Sequence, residues 1–160
     1  MSGGIMGLIA ALTLDVQDPL ETKALSLPDV KSEHVLPAVE AARRYATAAI
    51  PAELLVSIMW GESRFVPTVR KGRVCGVMQV NPSDIGRSRT QCTDWDRDVA
   101  KAVEAGVHEL ETMLRDHRVK GDMRKALLYR ACGNAAFNGR CRKTGWPGWV
   151  LERARKLRAQ

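Results

Sequence analysis

An apolar run that ends in a carboxylic acid constrains this chain of 160 residues more than any other feature. Ile50 and Pro51 predict a helix start, because proline suits the first turn, where its missing N–H would be unpaired in any case. Apolar residues then recur at helical spacing, at Leu54, Leu55, Ile58 and Met59. Glu62 follows Ile58 by four positions, so it continues the stripe that a helix over residues 51–64 would bury.

Glu62 is the residue of this helix to which we assign chemistry. Burial disfavours the ionised form of a carboxyl group and raises its pKa, and glycosidases use such a group to protonate the leaving oxygen. Glu62 is therefore a candidate general acid for cutting a glycosidic bond. The alternative is a last-turn residue whose carboxylate pairs with Arg64 or another basic residue.

Two short motifs in this region resemble the soluble lytic transglycosylase family. They are Gly61-Glu62-Ser63-Arg64-Phe65 and Gly76-Val77-Met78-Gln79-Val80-Asn81-Pro82. The family pattern is a Glu-Ser pair at a helix end, followed by a Gly-Leu-Met-Gln segment, and goose-type lysozymes are similar here. The resemblance covers roughly residues 39–153. It implies a mainly α, lysozyme-like α+β domain with a short extended segment beside the catalytic cleft.

The resemblance also implies roles for individual residues in the cleavage of peptidoglycan. Glu62 would be the catalytic residue, and Ser63 would orient it or hydrogen-bond nearby. Gly76 would let the backbone approach the glycan closely. Met78 would form an apolar wall of the cleft, and Gln79 would exchange hydrogen bonds with sugar substituents.

A third family motif, Ala-x-Tyr-Asn-Ala-Gly, is met only in part. The corresponding stretch runs from Ala126 to Gly133, and alignment on Gly133 puts Arg130 in the tyrosine position, with Tyr129 one place earlier. Residues 135–139 offer a second, looser match. We favour Tyr129 as the substrate-binding tyrosine. The alternative is a helix residue that packs on the core.

The reaction that the resemblance implies needs one carboxylate. Glu62 would protonate the oxygen of the β-1,4 bond between MurNAc and GlcNAc, and would then take the proton of the sugar's own 6-hydroxyl, which gives a 1,6-anhydro product. Ordinary glycosidases use two carboxylates. A hydrolase therefore remains an alternative, because four aspartates follow the second motif: Asp84, Asp94, Asp96 and Asp98. We expect helix-capping and loop roles for them. A weakly active structural protein with the same fold is a third possibility.

The composition suits one domain with an anionic partner. The chain is 45% hydrophobic and has a net charge of +7, and a basic surface attracts anionic polymers such as peptidoglycan. Nucleic acid is not expected as a partner, because the sequence has no helix-turn-helix, zinc-finger or RNA-binding signature. His34, His108 and His117 show no ligand spacing with the cysteines, so we expect neither a metal nor a cofactor.

The four cysteines form two pairs that are close in sequence. Cys75 and Cys92 bracket one loop, and Cys132 and Cys141 bracket another, each rich in Gly, Arg or Asn. Three pairings are possible, and we favour the local one, in which each disulfide would constrain its loop by roughly 2–4 kcal/mol. Disulfides indicate the periplasm, the cell exterior or a virion. The alternative is four free thiols in the cytosol.

The sequence predicts an N-terminal arm or linker over residues 1–34 and a lysozyme-like domain over residues 35–160. The first 14 residues are apolar, but they are too short to span a bilayer and lack the basic start of a secretory signal. We predict no stable membrane span elsewhere. Helices are predicted over residues 35–48, 51–64, 98–118, 122–132 and 148–159. Two tryptophans flank a predicted turn at residues 146–149, where they anchor the last helix or stack on sugars.

The small size and the missing signal favour a local role in opening the cell wall. We expect an enzyme in the host periplasm or associated with a virion, acting when a bacteriophage infects or lyses its host. A secretion or conjugation machine is the alternative setting. In either case residues 1–34 would be the segment that docks on virion or secretion-machine proteins.

Overall fold

The helix that carries Glu62 is the most deeply buried of the fold. A computed structural model describes residues 18–159 of the chain. The helix runs Ala52–Ser63 (α3), and every residue from Leu54 to Trp60 is buried. A helix that is apolar on all sides must be covered on all sides. The helices Ser32–Tyr45 (α2) and Trp146–Arg158 (α7) pack against it.

The remaining elements surround this centre, and all five predicted helices are present with shifted ends. The described residues contain seven α-helices, of which the others are Pro19–Leu25 (α1), Gln91–Arg97 (α4), Val99–Arg115 (α5) and Met123–Cys132 (α6). Two short 3-10 helices span Pro82–Ile85 and Gly133–Phe137. The fold is thus mainly helical, with one small sheet, as the resemblance implied.

Three segments differ from what the sequence predicts. Gln91–Arg97 is helical, where the sequence predicts no helix and expects helix-capping and loop roles for its aspartates. Trp146 and Pro147 form the first turn of α7 rather than a separate turn, because proline fits the first helical positions. Part of the predicted arm is helical as well: α1 buries Leu20 and Ala24 against the rest of the fold. Asp18 caps this helix by accepting a hydrogen bond from the Leu20 N–H at 2.9 Å. Residues 1–17 of the predicted arm lie outside the described residues.

A short sheet precedes the second sequence motif. Strands Arg70–Lys71 (β1) and Val74–Cys75 (β2) are antiparallel and pair Arg70 with Cys75. Cys75 then bridges to Val80, so the chain between them turns back on itself. This is the predicted extended segment, and it lies beside the C-terminal end of α3, where the Ser63 hydroxyl donates to the Val77 carbonyl.

α5 is the longest described helix, and it is amphipathic as predicted. Val103 and Leu110 face the core, whereas Lys101 and Glu104 are exposed. α2 and α6 pack against it. Neither α5 nor any other helix between residues 18 and 159 is long and apolar enough to cross a bilayer.

Candidate active site

Glu62 lies in the last turn of α3, at the wall of an open cavity. The cavity has a volume of about 670 Å³. The Glu62 side chain is 21% exposed, so it is sheltered but still reaches the cavity. Polar and charged residues from several elements line the same space, including Lys71, Gln79, Asp84, Glu109, Arg130 and Arg142.

Ser63 joins α3 to the segment of the second motif. Its hydroxyl is buried and donates to the backbone carbonyls of Met59 at 3.1 Å and of Val77 at 2.9 Å. The first bond is the i−4 bond that serines make within helices. The second crosses to the neighbouring segment and therefore fixes the end of α3, where Glu62 sits, against it.

Gln79 has an unusual backbone conformation, and its side chain is hydrogen-bonded to backbone carbonyls. Its φ of 50° lies in the left-handed region, which is uncommon for a residue other than glycine. The side-chain NH₂ donates to the carbonyls of Val69 and Gly76, each at 2.8 Å. Within the described residues the buried Gln79 Oε1 has no hydrogen-bond partner. Gln79 lines the cavity, although its Oε1 atom is itself buried.

Gly76 and Met78 lie behind the cavity wall rather than on it. Both residues are buried, and neither is among the residues that line the cavity. Gly76 has a φ of 73°, and a Cβ there would lie 3.2 Å from the Ala102 Cβ. Met78 packs on Gly106 of α5. In the structure these residues pack the segment, and the glycan contacts that the sequence predicts for them stay a prediction.

Arg130 is the α6 residue that contacts Glu62. Its Nη1 donates to Glu62 Oε1 at 3.0 Å, and its Nε donates to Glu109 Oε2 at 2.8 Å. Its Nη2 donates to the Met78 carbonyl and, at 3.3 Å, to the Gln79 carbonyl. The Arg130 side chain is only 4% exposed. All three of its nitrogens are therefore engaged, and they join α6, α5, α3 and the motif segment.

Burial and charge act in opposite directions in this cluster. Burial raises the pKa of the Glu109 carboxyl group, and the neighbouring Arg130 offsets this only in part. Burial disfavours the charged form of Arg130, but the carboxylates of Glu109 and Glu62 outweigh it and raise the pKa of the guanidinium. Arg130 therefore stays charged, and Glu109 is the carboxyl group that burial disfavours as an ion.

Tyr129 points into a different network. Its hydroxyl accepts a hydrogen bond from Arg118 Nη2 at 3.2 Å, and its ring contacts the Phe137 ring edge-on at 5.0 Å. It lines a neighbouring cavity of about 380 Å³. The two cavities adjoin, since Asp84, Glu109 and Arg130 line both. Arg130 is thus the residue of this stretch that contacts Glu62, whereas the sequence analysis favoured Tyr129 for the family tyrosine.

The four aspartates differ in their relation to Glu62. Asp84 lines the cavity and accepts a hydrogen bond from Asn81 at 2.9 Å. Asp96 is paired with Arg70, and Asp98 caps α5 by accepting from the Lys101 N–H at 3.1 Å. Asp94 lines a separate cavity. Asp84 is therefore the member of this group that shares a cavity with Glu62.

Both predicted local disulfides are present, and each lies next to a cavity element. Cys75–Cys92 joins β2 to α4, directly before Gly76. Cys132–Cys141 joins the end of α6 to the segment that carries Arg142. The disulfides thus tie two walls of the cavity to the helical core.

Trp146 lines the cavity, whereas Trp149 serves the packing of α7. The Trp149 ring stacks on the Trp60 ring at a centroid distance of 5.1 Å. The Arg153 guanidinium lies 4.0 Å from the Trp60 ring centroid. A Cβ at Gly61 would lie 2.8 Å from the Trp149 ring, so the two helices approach closely there. Anchoring of the last helix is the role that this geometry supports for Trp149.

Glu109 and Arg130 are the site residues that the sequence did not identify. Glu109 follows Ala102 and Gly106 on one face of α5, at spacings of seven and three residues. A charge on a face of small residues is a signal of a buried ion pair, because an unpaired charge is rarely buried. For Arg130 the signal was its place in the tyrosine position when the third motif is aligned on Gly133.

The fold and the site define a class of protein: a lysozyme-like helical domain with a glutamate at a helix end facing a cleft. Residues 40–146 match the family model of the transglycosylase SLT domain. Because the match spans more than half of the chain, the chain belongs to this family, whose members are lytic transglycosylases that cleave peptidoglycan. No curated protein and no solved structure shows significant similarity to it.

Proposed function

We propose that Glu62 is the single acid and base of a lytic transglycosylase that cuts the bond between MurNAc and GlcNAc. The observation that carries this proposal is the position of its carboxyl group, which is 21% exposed at the wall of a cavity of about 670 Å³. A sheltered carboxyl group with access to a cleft can donate and regain a proton. The position in the family's Glu-Ser motif adds support.

The reaction proceeds through two proton transfers by the same group. Glu62 gives its proton to the glycosidic oxygen as the bond from that oxygen to the anomeric carbon breaks. The Glu62 carboxylate then takes the proton of the 6-hydroxyl while that oxygen bonds to the anomeric carbon. The product is a 1,6-anhydro sugar and no water is consumed. Arg130 Nη1, at 3.0 Å, stabilises the carboxylate between the two steps.

Other cavity residues fit an anionic sugar polymer. Lys71, Arg142 and Lys143 are exposed and line the cavity, so they attract the anionic groups of peptidoglycan. Gln79 lines the same cavity, and its Oε1 would accept a hydrogen bond from a sugar hydroxyl or acetamido N–H if its side chain turned towards the bound strand. The adjoining cavity beyond Arg130 extends the cleft past Glu62.

A hydrolytic lysozyme is the second candidate, and Asp84 is the residue that favours it. Asp84 is exposed and lines the same cavity as Glu62, so a water molecule could be activated there. Glu109 is a poorer second carboxylate, because its side chain is 7% exposed and its Oε2 accepts from Arg130.

Digestion of purified peptidoglycan sacculi separates these functions. The released muropeptides are read by mass spectrometry for the wild-type chain, Glu62→Gln and the control Glu53→Gln, which lies at the other end of α3. The proposal predicts products lighter by one water than reducing muropeptides from the wild type and the control, and none from Glu62→Gln. Reducing products that disappear in Asp84→Asn would instead establish the hydrolase.

The setting we propose is local opening of the cell wall during phage infection or lysis, in the host periplasm or on the virion. The two disulfides support a compartment that keeps thiols oxidised. Residues 1–34 are the proposed docking segment for virion or secretion-machine proteins. Detection of the chain in purified phage particles by mass spectrometry tests the virion location, and its absence there would refute that location and leave lysis or a secretion machine.

A further inference from the structure

Two carboxyl groups share a single buried cation beside the cleft. Arg130 donates to Glu62 at 3.0 Å and to Glu109 at 2.8 Å, through different nitrogens. The exposed fractions of the three side chains are 4% for Arg130, 7% for Glu109 and 21% for Glu62. Glu62 is therefore the member of this cluster that is most open to the cavity, and Glu109 and Arg130 reach it only at its wall.

The charges of this cluster balance only when it holds one proton. With both carboxyl groups ionised, two negative charges face one positive charge in a buried place, which is unfavourable. With one proton the cluster is neutral. The pKa of Glu109 is raised, chiefly by burial and also by the charges of Asp84 and Glu62, so Glu109 and Glu62 compete for this one proton.

We propose that Arg130 and Glu109 are positioning residues for the transglycosylase reaction: Arg130 aims the Glu62 carboxyl group at the cleft, and Glu109 competes with Glu62 for Arg130, so that Arg130 does not hold Glu62 permanently as a carboxylate and Glu62 can carry the proton it donates. This inference rests on the acid and base role proposed for Glu62. An arginine facing Glu62 alone would hold it as a carboxylate. Glu109 offsets this effect of Arg130 on Glu62, and it does so without touching the sugar.

The balance also matches the order of the two proton transfers. When the proton leaves Glu62 for the glycosidic oxygen, the new carboxylate gains the attraction of Arg130 at 3.0 Å. When the 6-hydroxyl returns a proton to Glu62, the cluster becomes neutral again. Arg130 thus lowers the energy of the intermediate in which Glu62 is ionised. Glu109 limits this stabilisation, so that the Glu62 carboxylate can still accept the proton of the 6-hydroxyl.

Several other charged groups face this cluster, and the variants proposed below leave all of them unchanged. The Lys71 ammonium donates to the Glu62 backbone carbonyl at 2.5 Å. Asp84 lines the cavity from the 3-10 helix Pro82–Ile85, and Arg142 and Lys143 line it from the segment before α7. Glu109 and Arg130 are the charged residues that α5 and α6 contribute to the cavity lining.

The test is the pH dependence of kcat/KM on purified glycan strands for four chains: wild type, Glu109→Gln, Arg130→Met and the double variant. Loss of activity at high pH reports the loss of the donated proton. Glu109→Gln leaves Glu62 as the only carboxyl group beside the Arg130 charge. The alkaline limb of the pH profile, where activity is lost, should therefore move to lower pH by about one unit. Arg130→Met removes the cation, so the limb should move to higher pH by about one unit. The double variant should return towards the wild type.

A purely structural role predicts a different result. It would lower kcat/KM at every pH and leave the limb in place, or move it in the same direction in both single variants, and either outcome overturns the proposal. Arg130→Lys carries the test if larger changes unfold the chain: it keeps the charge but not the forked geometry. Its limb should stay at the wild-type pH while kcat falls, and a limb displaced as expected for Arg130→Met would overturn the proposal.

Failure of the proposed function has a separate signature. If Glu62→Gln keeps its activity, or the wild-type products are not 1,6-anhydro sugars, the role of Glu62 is refuted whatever the profiles show. If Glu62 is essential and the two single variants do not move the limb in opposite directions, only the roles of Arg130 and Glu109 are refuted. Thermal unfolding of each variant confirms that folded protein is compared.

Discussion

At the scale of single residues, the groups around Glu62 are held largely by bonds to backbone carbonyls. Ser63 donates to two carbonyls, Gln79 donates to two, and Arg130 donates to those of Met78 and Gln79. Buried carbonyls that lose such donors carry a desolvation cost. The geometry of the cleft therefore depends on side chains that do not need to touch the substrate.

Ser63→Ala and Ser57→Ala separate stability from site geometry. Both serines lie on α3, are at most 6% exposed and donate to a distant carbonyl: Val77 for Ser63 and Val150 for Ser57. Each substitution should lower the free energy of unfolding by about 1–2 kcal/mol. Only Ser63→Ala should also lower kcat of the folded enzyme, because it frees the end of α3. Chemical denaturation and kinetics at one temperature measure both quantities, and equal kcat values for the two variants would contradict the account.

The sequence predicted Glu62 and missed its partners for a physical reason. The position of Glu62 follows from the 3.6-residue period of one helix, which is local information. The contacts of Arg130 and Glu109 join residues 68 and 21 positions apart, respectively, and form only when α3, α5 and α6 meet. Local patterns show that a charge sits on an apolar face, but not which partner neutralises it.

At the scale of elements, α5 fixes the motif segment through one close contact. Gly106 lies under Met78, and a Cβ there would be 2.9 Å from the Met78 Cβ and 2.7 Å from its terminal methyl carbon. Met78 is fully buried, so it has little room to move away.

Gly106→Ala should therefore destabilise the protein and displace the segment that carries Gln79. Alanine favours helix by about 1 kcal/mol over glycine, but overpacking a buried contact costs about 1–3 kcal/mol, so we expect a net loss of stability. The activity of the folded variant should fall as well. Thermal unfolding and sacculus digestion measure these effects, and an increase in the melting temperature at full activity would contradict this packing argument.

The turn between α5 and α6 depends on an ion pair. Arg118 donates to Asp116 at 2.9 and 2.7 Å and to Asn134 at 3.0 Å, and it also donates to the Tyr129 hydroxyl. The Arg118 hydrogen bonds hold the pKa of the Asp116 carboxyl well below its usual range. This network attaches the 3-10 helix Gly133–Phe137 to the helical core, which is the structural role we assign to Tyr129.

Asp116→Asn should lower stability in a pH-dependent way. A depressed carboxyl pKa contributes stability above the unfolded value of about 3.9, and this contribution is lost as the pH falls through the lower folded value. The melting temperature of Asp116→Asn should therefore lie below that of the wild type at pH 7 and approach it in acid. Glu152→Gln removes an exposed pair on α7 and is the matched control, for which we expect little change. An equal difference at neutral and acidic pH would contradict the role of the ion pair.

At the scale of the whole molecule, the chain is stabilised by one continuous helical core and two disulfides at its cavity side. The sequence predicted α3 and α5 because apolar residues recur in them at helical spacing, and it predicted the cysteine pairing because the partners are close in sequence. It did not predict α1, a helix of seven residues with only two buried side chains. So short a helix is stable only when tertiary packing covers it.

Removal of one disulfide should weaken the domain and the cleft together. Replacing both Cys132 and Cys141 with alanine should lower the free energy of unfolding by about 2–4 kcal/mol. Activity should fall more steeply with temperature, because the segment with Arg142 is then tied to α6 less firmly. Denaturation with and without reductant measures the effect, and a reductant should still destabilise the variant through Cys75–Cys92. Unchanged stability of the oxidised variant would contradict this role.

The central claim is that Glu62 cleaves the glycan without water, and digestion in water enriched in a heavy oxygen isotope tests it most directly. A lytic transglycosylase closes the ring with the sugar's own 6-hydroxyl, so the new glycan end takes no oxygen from the solvent. We predict 1,6-anhydro products that show no isotope label by mass spectrometry, formed by the wild-type chain and not by Glu62→Gln. Reducing-end products that carry one labelled oxygen atom would contradict the claim and identify a hydrolase.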